Sequence, residues 1–415
     1  MHRARSNNTD VPATTGGFPG PGGTSLVPPP PRLIKRLIYL ALDVINRVVP
    51  KVQDKVVLHS TIDLEDGVLA VLEELAMRGW SATVLLEEPA RAGRLKAIAP
   101  GPVRTVPKRS RRALLHYLTA RYVMTTENIF GNRPPPDSQI VVNIWHGEPP
   151  TKVTARFFEG QGGLRCTYAP VCSTVGRAYR AAEFDLHPLR VPIVGAPRND
   201  RMLRSDGAAV RRVLLGDEAG LPTLLWLPSF RSGHWGDQVR VDTGGDHHPG
   251  VPFPLTQVRR LDEHLAARGA RLVVKLHPHD VSSFAGDFRA IQVLSQEQMQ
   301  AQGLTLYPAL PAFDGLITDM SSIWVDYLLL DRPMVFAFPD VADYRNGRGL
   351  NLEPYEDWVP GPFVRTMDQL IAAVDDVVDG RDPMAEERGR ARRRFHQFAD
   401  DGSTARLLDG LGIAR

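Results

Sequence analysis

The chain has 415 residues, 43% of them hydrophobic, which is enough to bury a large core and favours two or three domains over one. Its 50 basic and 47 acidic residues nearly cancel to a formal charge of +3, so no global field directs it to nucleic acid or to a strongly acidic partner. The two cysteines, Cys166 and Cys172, make neither a disulfide framework nor a structural zinc set, and read as reduced thiols in a cytosolic setting.

Residues 1–31, rich in Gly, Pro and Thr and ending in Pro28-Pro29-Pro30-Pro31, cannot bury enough apolar surface to order themselves and read as a tail. The stretch RLIKRLIYLALDVINRVV at 32–49 follows, within a segment bounded at 32–50. Its Leu33, Leu37, Leu40, Val44 and Val48 recur at helical spacing, with Arg32, Lys35, Arg36 and Arg47 around them. That pattern suits a helix lying on an anionic membrane surface or one packed on the first domain, and the moment alone does not choose. No uninterrupted apolar run reaches the ~18 residues of a transmembrane helix. Asp43 and Arg47 also break the pattern of a secretory signal.

From residue 51 short apolar runs alternate with amphipathic segments: KVVLHS, LEDGVLAVLEELAMRG, ATVLLE, RRALLHYLTA, RYVMTT and QIVVNIW. This rhythm predicts a parallel sheet wrapped by helices over 51–205. A second series, TLLWLPSF, LTQVRRLDEHLAARG, RLVVKLHP, LTLYP and GLITDMSSIWVDYLLLDRPMVFAF, predicts another α/β lobe over 206–380, with helices packing back across the lobes at 381–415. In open α/β sheets ligands bind beyond the carboxyl ends of the strands, and the chemistry-bearing residues fall at such ends.

His146 follows QIVVNIW and precedes Gly147, where an imidazole can take a proton from an attacking hydroxyl near neutral pH or simply serve structure. Lys275 and His277 close LVVKLHP and alternate along the strand, so both can meet one phosphate; the plainer reading is a lysine stem covering apolar surface. Asp319 precedes Ser321 and Ser322, which open a predicted helix; they either cap it or, with free backbone donors and the helix dipole, bind an anion such as a diphosphate. Arg231 ends LPSFR and Arg198 lies in GAPRND; either guanidinium suits a phosphate or a carboxylate, Asp200 in the second case. Asp319 and Asp326 suit a ribose or a histidine partner, a cap or a polar helical face. The run RGRARRRF at 388–395 reads as a solvated helix face, with contact to anionic lipid or an anionic polymer as the alternative and nucleic acid behind it. No metal-ligand spacing, Walker sequence or Gly-x-Gly-x-x-Gly after a strand is present, so no metal or cofactor is expected.

The order WHG at 145–147, GAPRND at 195–200, LPSFR at 227–231, LHP at 276–278, TDMSSIWVDYLLLDRP at 318–333 and RRRFHQFADDGSTAR at 392–406 resembles the CDP-glycerol glycerophosphotransferase family of teichoic-acid polymerases and primases. The resemblance runs from about residue 51 to the C-terminus. It implies a glycosyltransferase-B type fold, with two Rossmann-like lobes facing a cleft: an acceptor lobe first and a CDP-donor lobe second. It implies a peripheral enzyme on the cytoplasmic side of the cell membrane that transfers glycerol phosphate from CDP-glycerol to a lipid-linked glycerol phosphate acceptor, with release of CMP. It makes His146 the general base and His277 a catalytic partner at the diphosphate, with Arg231, Ser321 and Ser322 as diphosphate contacts. Lys275, Arg198, Asp319 and Asp326 would complete the binding set.

The sequence departs from the family's pattern where Glu148-Pro149-Pro150-Thr151 intervene before Lys152, and where Ala196, Ser229 and Met320 stand in place of the usual residues. These departures leave CDP-ribitol or another CDP-polyol as donor, and primase as well as polymerase action. A nucleotide-sugar glycosyltransferase of the same fold would release a diphosphate instead. A non-catalytic membrane or polymer-binding protein would not need the histidines and serines.

Overall fold

The computed structural model describes residues 33–98, 101, 103–130, 133–148, 164–229, 251–276, 287–347 and 349–414. Two parallel sheets organise the chain. The first comprises β1 (Val52–His59), β2 (Ala82–Leu86), β3 (Val103–Pro107), β4 (Ala120–Thr125) and β5 (Ile140–Asn143), in the order β3-β2-β1-β4-β5. Its strands are rich in Val, Leu and Ala because helices cover both faces, so no polar alternation survives in β2, buried along its whole length. One face packs Leu58, Val84 and Val142 under the helix Asp66–Met77; the other packs Val57, Val123 and Val141 under the helix Arg111–Thr119.

The second sheet comprises β6 (Thr223–Trp226), β7 (Arg271–Val274), β8 (Ile291–Val293), β9 (Gly315–Thr318), β10 (Met334–Ala337) and β11 (Phe363–Val364), ordered β11-β10-β9-β6-β7-β8. Its core also has two sides, one centred on Trp324, Phe336 and Phe395 and the other on Trp226, Leu261 and Leu370. The strands β3, β8 and β11 were not among the apolar runs read from the sequence. β3 carries Arg104 and Thr105 at a sheet edge, and β8 and β11 are too short to show a period. The run LTLYP forms no strand; Leu306–Ala309 is a single helical turn.

The helix Leu33–Val48 is docked at its C-terminal end, where the buried Asn46 donates to the Gln139 side chain (3.0 Å) and accepts from Lys51 Nζ (2.7 Å). Leu37, Leu40, Val44 and Val48 are nevertheless exposed, as are Ile38 and Ile45. No described helix is long and apolar enough to cross a membrane.

The C-terminal end packs back across the lobes as expected. The helix Ala385–Phe395 contributes Phe395 to the second lobe's core, whereas Ser403–Gly410 returns to the first, burying Leu407 and Leu408 beneath its sheet. Asp200 fastens that return by accepting from the backbone N–H groups of Ser403 (3.0 Å) and Thr404 (2.7 Å) at the start of the helix. Arg78 closes its far end on Asp409 and on the carbonyl of Ile413, both at 2.6 Å.

Candidate active site

The loop Ile144–Glu148 leaves the carboxyl end of β5 and is held from several directions. Trp145 donates its N–H to the Asn143 side chain (3.0 Å) in a tight turn that puts Trp145 at φ 41°, the left-handed region a bulky residue rarely adopts. Its carbonyl receives Arg198 Nη1 at 3.4 Å, and the carbonyl of Gly147 receives Arg180 Nη2 at 2.9 Å. Glu148, a residue by which this chain departs from the usual loop, is buried and accepts from the Cys172 N–H (3.4 Å), with Arg198 Nη2 at 3.7 Å. His146 is the exposed residue of this loop, its ring stacked on Trp145 at 4.2 Å between centroids and 30° between planes.

Gly147 carries the loop against the second lobe. A Cβ at this position would come within 2.2 Å of Ser322 Oγ, so any side chain here would push the serine hydroxyl aside. His146 and the serine pair, far apart in sequence, are thereby brought to one place between the sheets. Ser321 and Ser322 are partly exposed there.

Of the two readings of the serines, the cap is not the one present. Ser322 has helical backbone angles and makes no capping bond, while the Ser321 N–H is taken by the Asp319 carboxylate at 3.2 Å. The helix they open, Ile323–Tyr327, has five residues, so its dipole adds little and the hydroxyls are what the site offers. Asp319 is buried and also accepts from Ser229 N–H (2.9 Å) and Oγ (2.6 Å), which ties the end of the β6 loop to the end of β9. It shapes the site and is turned toward protein donors. Met320 is fully buried in the core beneath.

Arg198 and Asp326 answer to each other. Arg198 is 3% exposed and Asp326 is fully buried, and the guanidinium meets the carboxylate bidentately, Nε to Oδ2 at 2.9 Å and Nη2 to Oδ1 at 3.0 Å. Tyr307 Oη adds a bond to Asp326 Oδ2 at 2.8 Å. Of the alternatives open for Arg198, the carboxylate is the one realised, and it is Asp326, because Asp200 is occupied at the helix Ser403–Gly410. Both are buried, and together they lock the His146 loop to the helix that follows the serines. Although burial opposes its charge, Asp326, Tyr307 and Glu148 hold the pKa of Arg198 well above its ordinary value.

Lys275 lies just past β7, its N–H on the Trp226 carbonyl. Burial pulls its ammonium pKa down, against the field of Glu297 and Asp66. His277 and Arg231 lie outside the described residues. Among the described residues no group of three or more His, Cys, Asp or Glu is arranged to hold a metal ion. Cys166 and Cys172 are buried free thiols, and burial pushes the Cys166 thiol up to about 12, so it is not a nucleophile at neutral pH.

Sequence reasoning missed Arg180, Glu148, Tyr307 and Asp66. Asp66 joins the lobes by accepting from Arg201 (2.6 Å) and the Tyr307 N–H (3.1 Å), and it also takes the Thr305 hydroxyl. None of the four stands in a motif, and each matters through a partner distant in the chain; only Glu148 carried a signal, as a departure from pattern.

Two parallel sheets whose strand ends face one another, with a histidine loop from the first against a serine pair from the second, are the frame on which known proteins can be compared. A family model, CDP-Glycerol:Poly(glycerophosphate) glycerophosphotransferase, matches residues 42–411. The chain belongs to the CDP-glycerol:poly(glycerophosphate) glycerophosphotransferase family. Within this glycerophosphotransferase family it is 26% identical over 290 residues to the teichoic acid ribitol-phosphate polymerase TarL of Staphylococcus aureus, covering 66% of this chain and 48% of that protein. It is 28% identical over 217 residues to the teichoic acid ribitol-phosphate primase of Bacillus spizizenii, covering 50% of each. It is 28% identical over 198 residues to the teichoic acid poly(glycerol phosphate) polymerase of Bacillus subtilis, covering 44% of this chain and 23% of that protein. The chain thus spans about half the length of the first of these curated relatives. The fold is that of the wall teichoic acid polymerase TagF, with a TM-score of 0.72 at 17% identity over 91% of this chain and 92% of that one. The two-lobed, glycosyltransferase-B type architecture expected of a glycerophosphotransferase is therefore the one present.

Proposed function

We propose that this protein transfers glycerol phosphate from CDP-glycerol to the terminal hydroxyl of a lipid-linked glycerol phosphate acceptor, releasing CMP, in the synthesis of a teichoic-acid-like polymer. The observation that supports the reading is the approach of Gly147, next to the exposed His146 of the first lobe, to Ser322 of the second. In this reaction the acceptor oxygen attacks the β-phosphorus. As the new O–P bond forms, the bond to the bridging oxygen breaks and CMP leaves with that oxygen and its electron pair. His146 takes the acceptor proton.

Phosphoryl transfer asks little covalent work of the protein; it needs alignment and compensation of phosphate charge. Ser321 and Ser322 donate hydroxyls to the diphosphate, with Lys275, Arg231 and His277 supplying positive charge and donors. Asp319 holds Ser229, two residues before Arg231 in the sequence, and Arg198 with Asp326 keeps the two halves in register. Relatives named for ribitol phosphate and for glycerol phosphate match at similar identity, which keeps CDP-ribitol as a second donor. The exposed apolar face of the helix Leu33–Val48 supports attachment to the cytoplasmic surface of a membrane, where a lipid-linked acceptor would be found.

The test is CMP release from CDP-glycerol and CDP-ribitol in the presence of a lipid-linked primer. His146→Ala should abolish release while the protein still folds and binds the CDP donor. Near-normal turnover in that variant would remove His146 from the mechanism, and release of a nucleoside diphosphate from a sugar nucleotide would replace the reaction.

A further inference from the structure

Arg180 has no place in the reaction as drawn. It lies on the helix Thr174–Phe184 and is 1% exposed, a costly position for a guanidinium. Its nearest carboxylate, Glu183 Oε2, is 3.9 Å away, too far for a hydrogen bond, and its Nε and Nη1 have no acceptor among the described residues. Burial pulls its pKa down despite Glu183 and Glu148. An arginine kept only to pair with a carboxylate would be oriented differently. Its short bond, 2.9 Å, runs to the carbonyl of Gly147, the residue after His146.

Its guanidinium also packs on two aromatic rings. The guanidinium carbon sits 4.5 Å from the Phe184 ring centroid and 5.4 Å from that of Trp145, and Trp145 in turn stacks on His146 at 4.2 Å. Phe184, Arg180 and Trp145 therefore close one three-way cluster, and the exposed His146 imidazole stacks on its Trp145 side. Phe184 also meets Trp145 edge-on at 5.3 Å, which braces the indole directly. A cation packed against two aromatic rings in a dry site is held strongly, and a planar guanidinium does this while keeping a directed N–H for the carbonyl.

We propose that Arg180 is a positioning residue for His146: it clamps Trp145 and the Gly147 carbonyl from behind, so that the strained left-handed turn at Trp145 presents the imidazole in one pose beside Ser322. The proposal rests on the reading of His146 as the base that faces the donor phosphates. Misplacement by about an ångström costs on the order of 100-fold in such reactions, which gives the clamp its value.

The test has two readouts on the full chain. In histidine-labelled protein, with the His146 ring signals identified by their loss in His146→Asn, the Trp145 ring current displaces those signals. Arg180→Met should collapse that displacement and lower kcat by on the order of 10- to 100-fold, with KM for the CDP donor nearly unchanged. Arg180→Lys, which keeps the cation and a single donor, should restore part of both and also covers the case in which Arg180→Met fails to fold. An unchanged His146 signal in the variants, or a loss of kcat matched by an equal rise in donor KM, would overturn the proposal. If His146→Ala itself retained turnover, the base would be lost while the ring-current signature still judged the Arg180–Trp145 contact.

Discussion

At the scale of single residues, the first lobe holds ionisable groups whose environment, more than their type, sets their charge. Glu65 lies in the loop after β1, beside Leu64 in a left-handed conformation and immediately before the helix Asp66–Met77. Burial pushes its carboxyl from 4.5 up to about 7, against a hydrogen bond from Thr126 and the charge of Arg198, with Asp66 and Glu127 adding to the rise. A folded-state pKa above the unfolded value means that the folded protein keeps a proton the unfolded chain has lost. Glu65 therefore contributes most below pH 4.5, and its contribution falls as pH rises to about 7, beyond which it is constant. His59 works in the opposite sense: burial and Lys108 lower it from 6.5 to about 4, against the pull of Asp63, so its contribution is present above 6.5 and lost as pH falls toward 4. Because the two overlap, the variant isolates Glu65. The melting temperature of Glu65→Gln minus that of the wild type should increase between pH 4 and pH 8; a difference independent of pH would show that Glu65 ionises normally. Neither effect was legible in the sequence, since both depend on which groups the fold buries together.

At the scale of elements, the helix Leu33–Val48 shows how far periodicity reaches. Its amphipathic spacing was legible, but the same moment fits a core-facing and a membrane-facing helix. The tertiary structure places Asn46 inward, bound to Gln139 and Lys51, and leaves Leu40, Val44 and Val48 at the surface. Replacing Leu40 and Val44 by aspartate should weaken binding to vesicles containing anionic lipid by on the order of 10-fold or more, since each leucine-sized side chain is worth about 1.5–3 kcal/mol on burial. Cosedimentation unchanged from wild type would assign membrane contact to another surface. The arginine-rich helix Ala385–Phe395 resolves the other way. Arg388 is buried against Asp331 and Asp382, and Arg390 pairs with Glu386 and Glu387, so much of the charge that reads as one basic run is spent within the protein.

At the scale of the whole molecule, the lobes are joined by buried charge. Arg198 from the segment between the sheets grips Asp326 behind the second-lobe serines and reaches the Trp145 carbonyl of the first lobe. Removing one partner leaves the other charge buried alone. Arg198→Met should cost about 3–5 kcal/mol in urea unfolding, and adding Asp326→Asn should recover part of that loss. Simple addition of the two single costs would show that the pair is not coupled. The sequence by itself determined that two parallel α/β lobes follow an amphipathic helix, because runs of apolar residues and their spacing are local properties of the chain. It also determined that His146, Ser321 and Ser322 stand at strand ends, which is a matter of order along the chain. Only the tertiary structure decided that Gly147 lies against Ser322, that Arg198 pairs with Asp326, and that Arg180 packs on Trp145. The reason is physical: a hydrogen bond or a ring contact forms between groups within a few ångströms of one another, and nothing in their separation along the chain announces it.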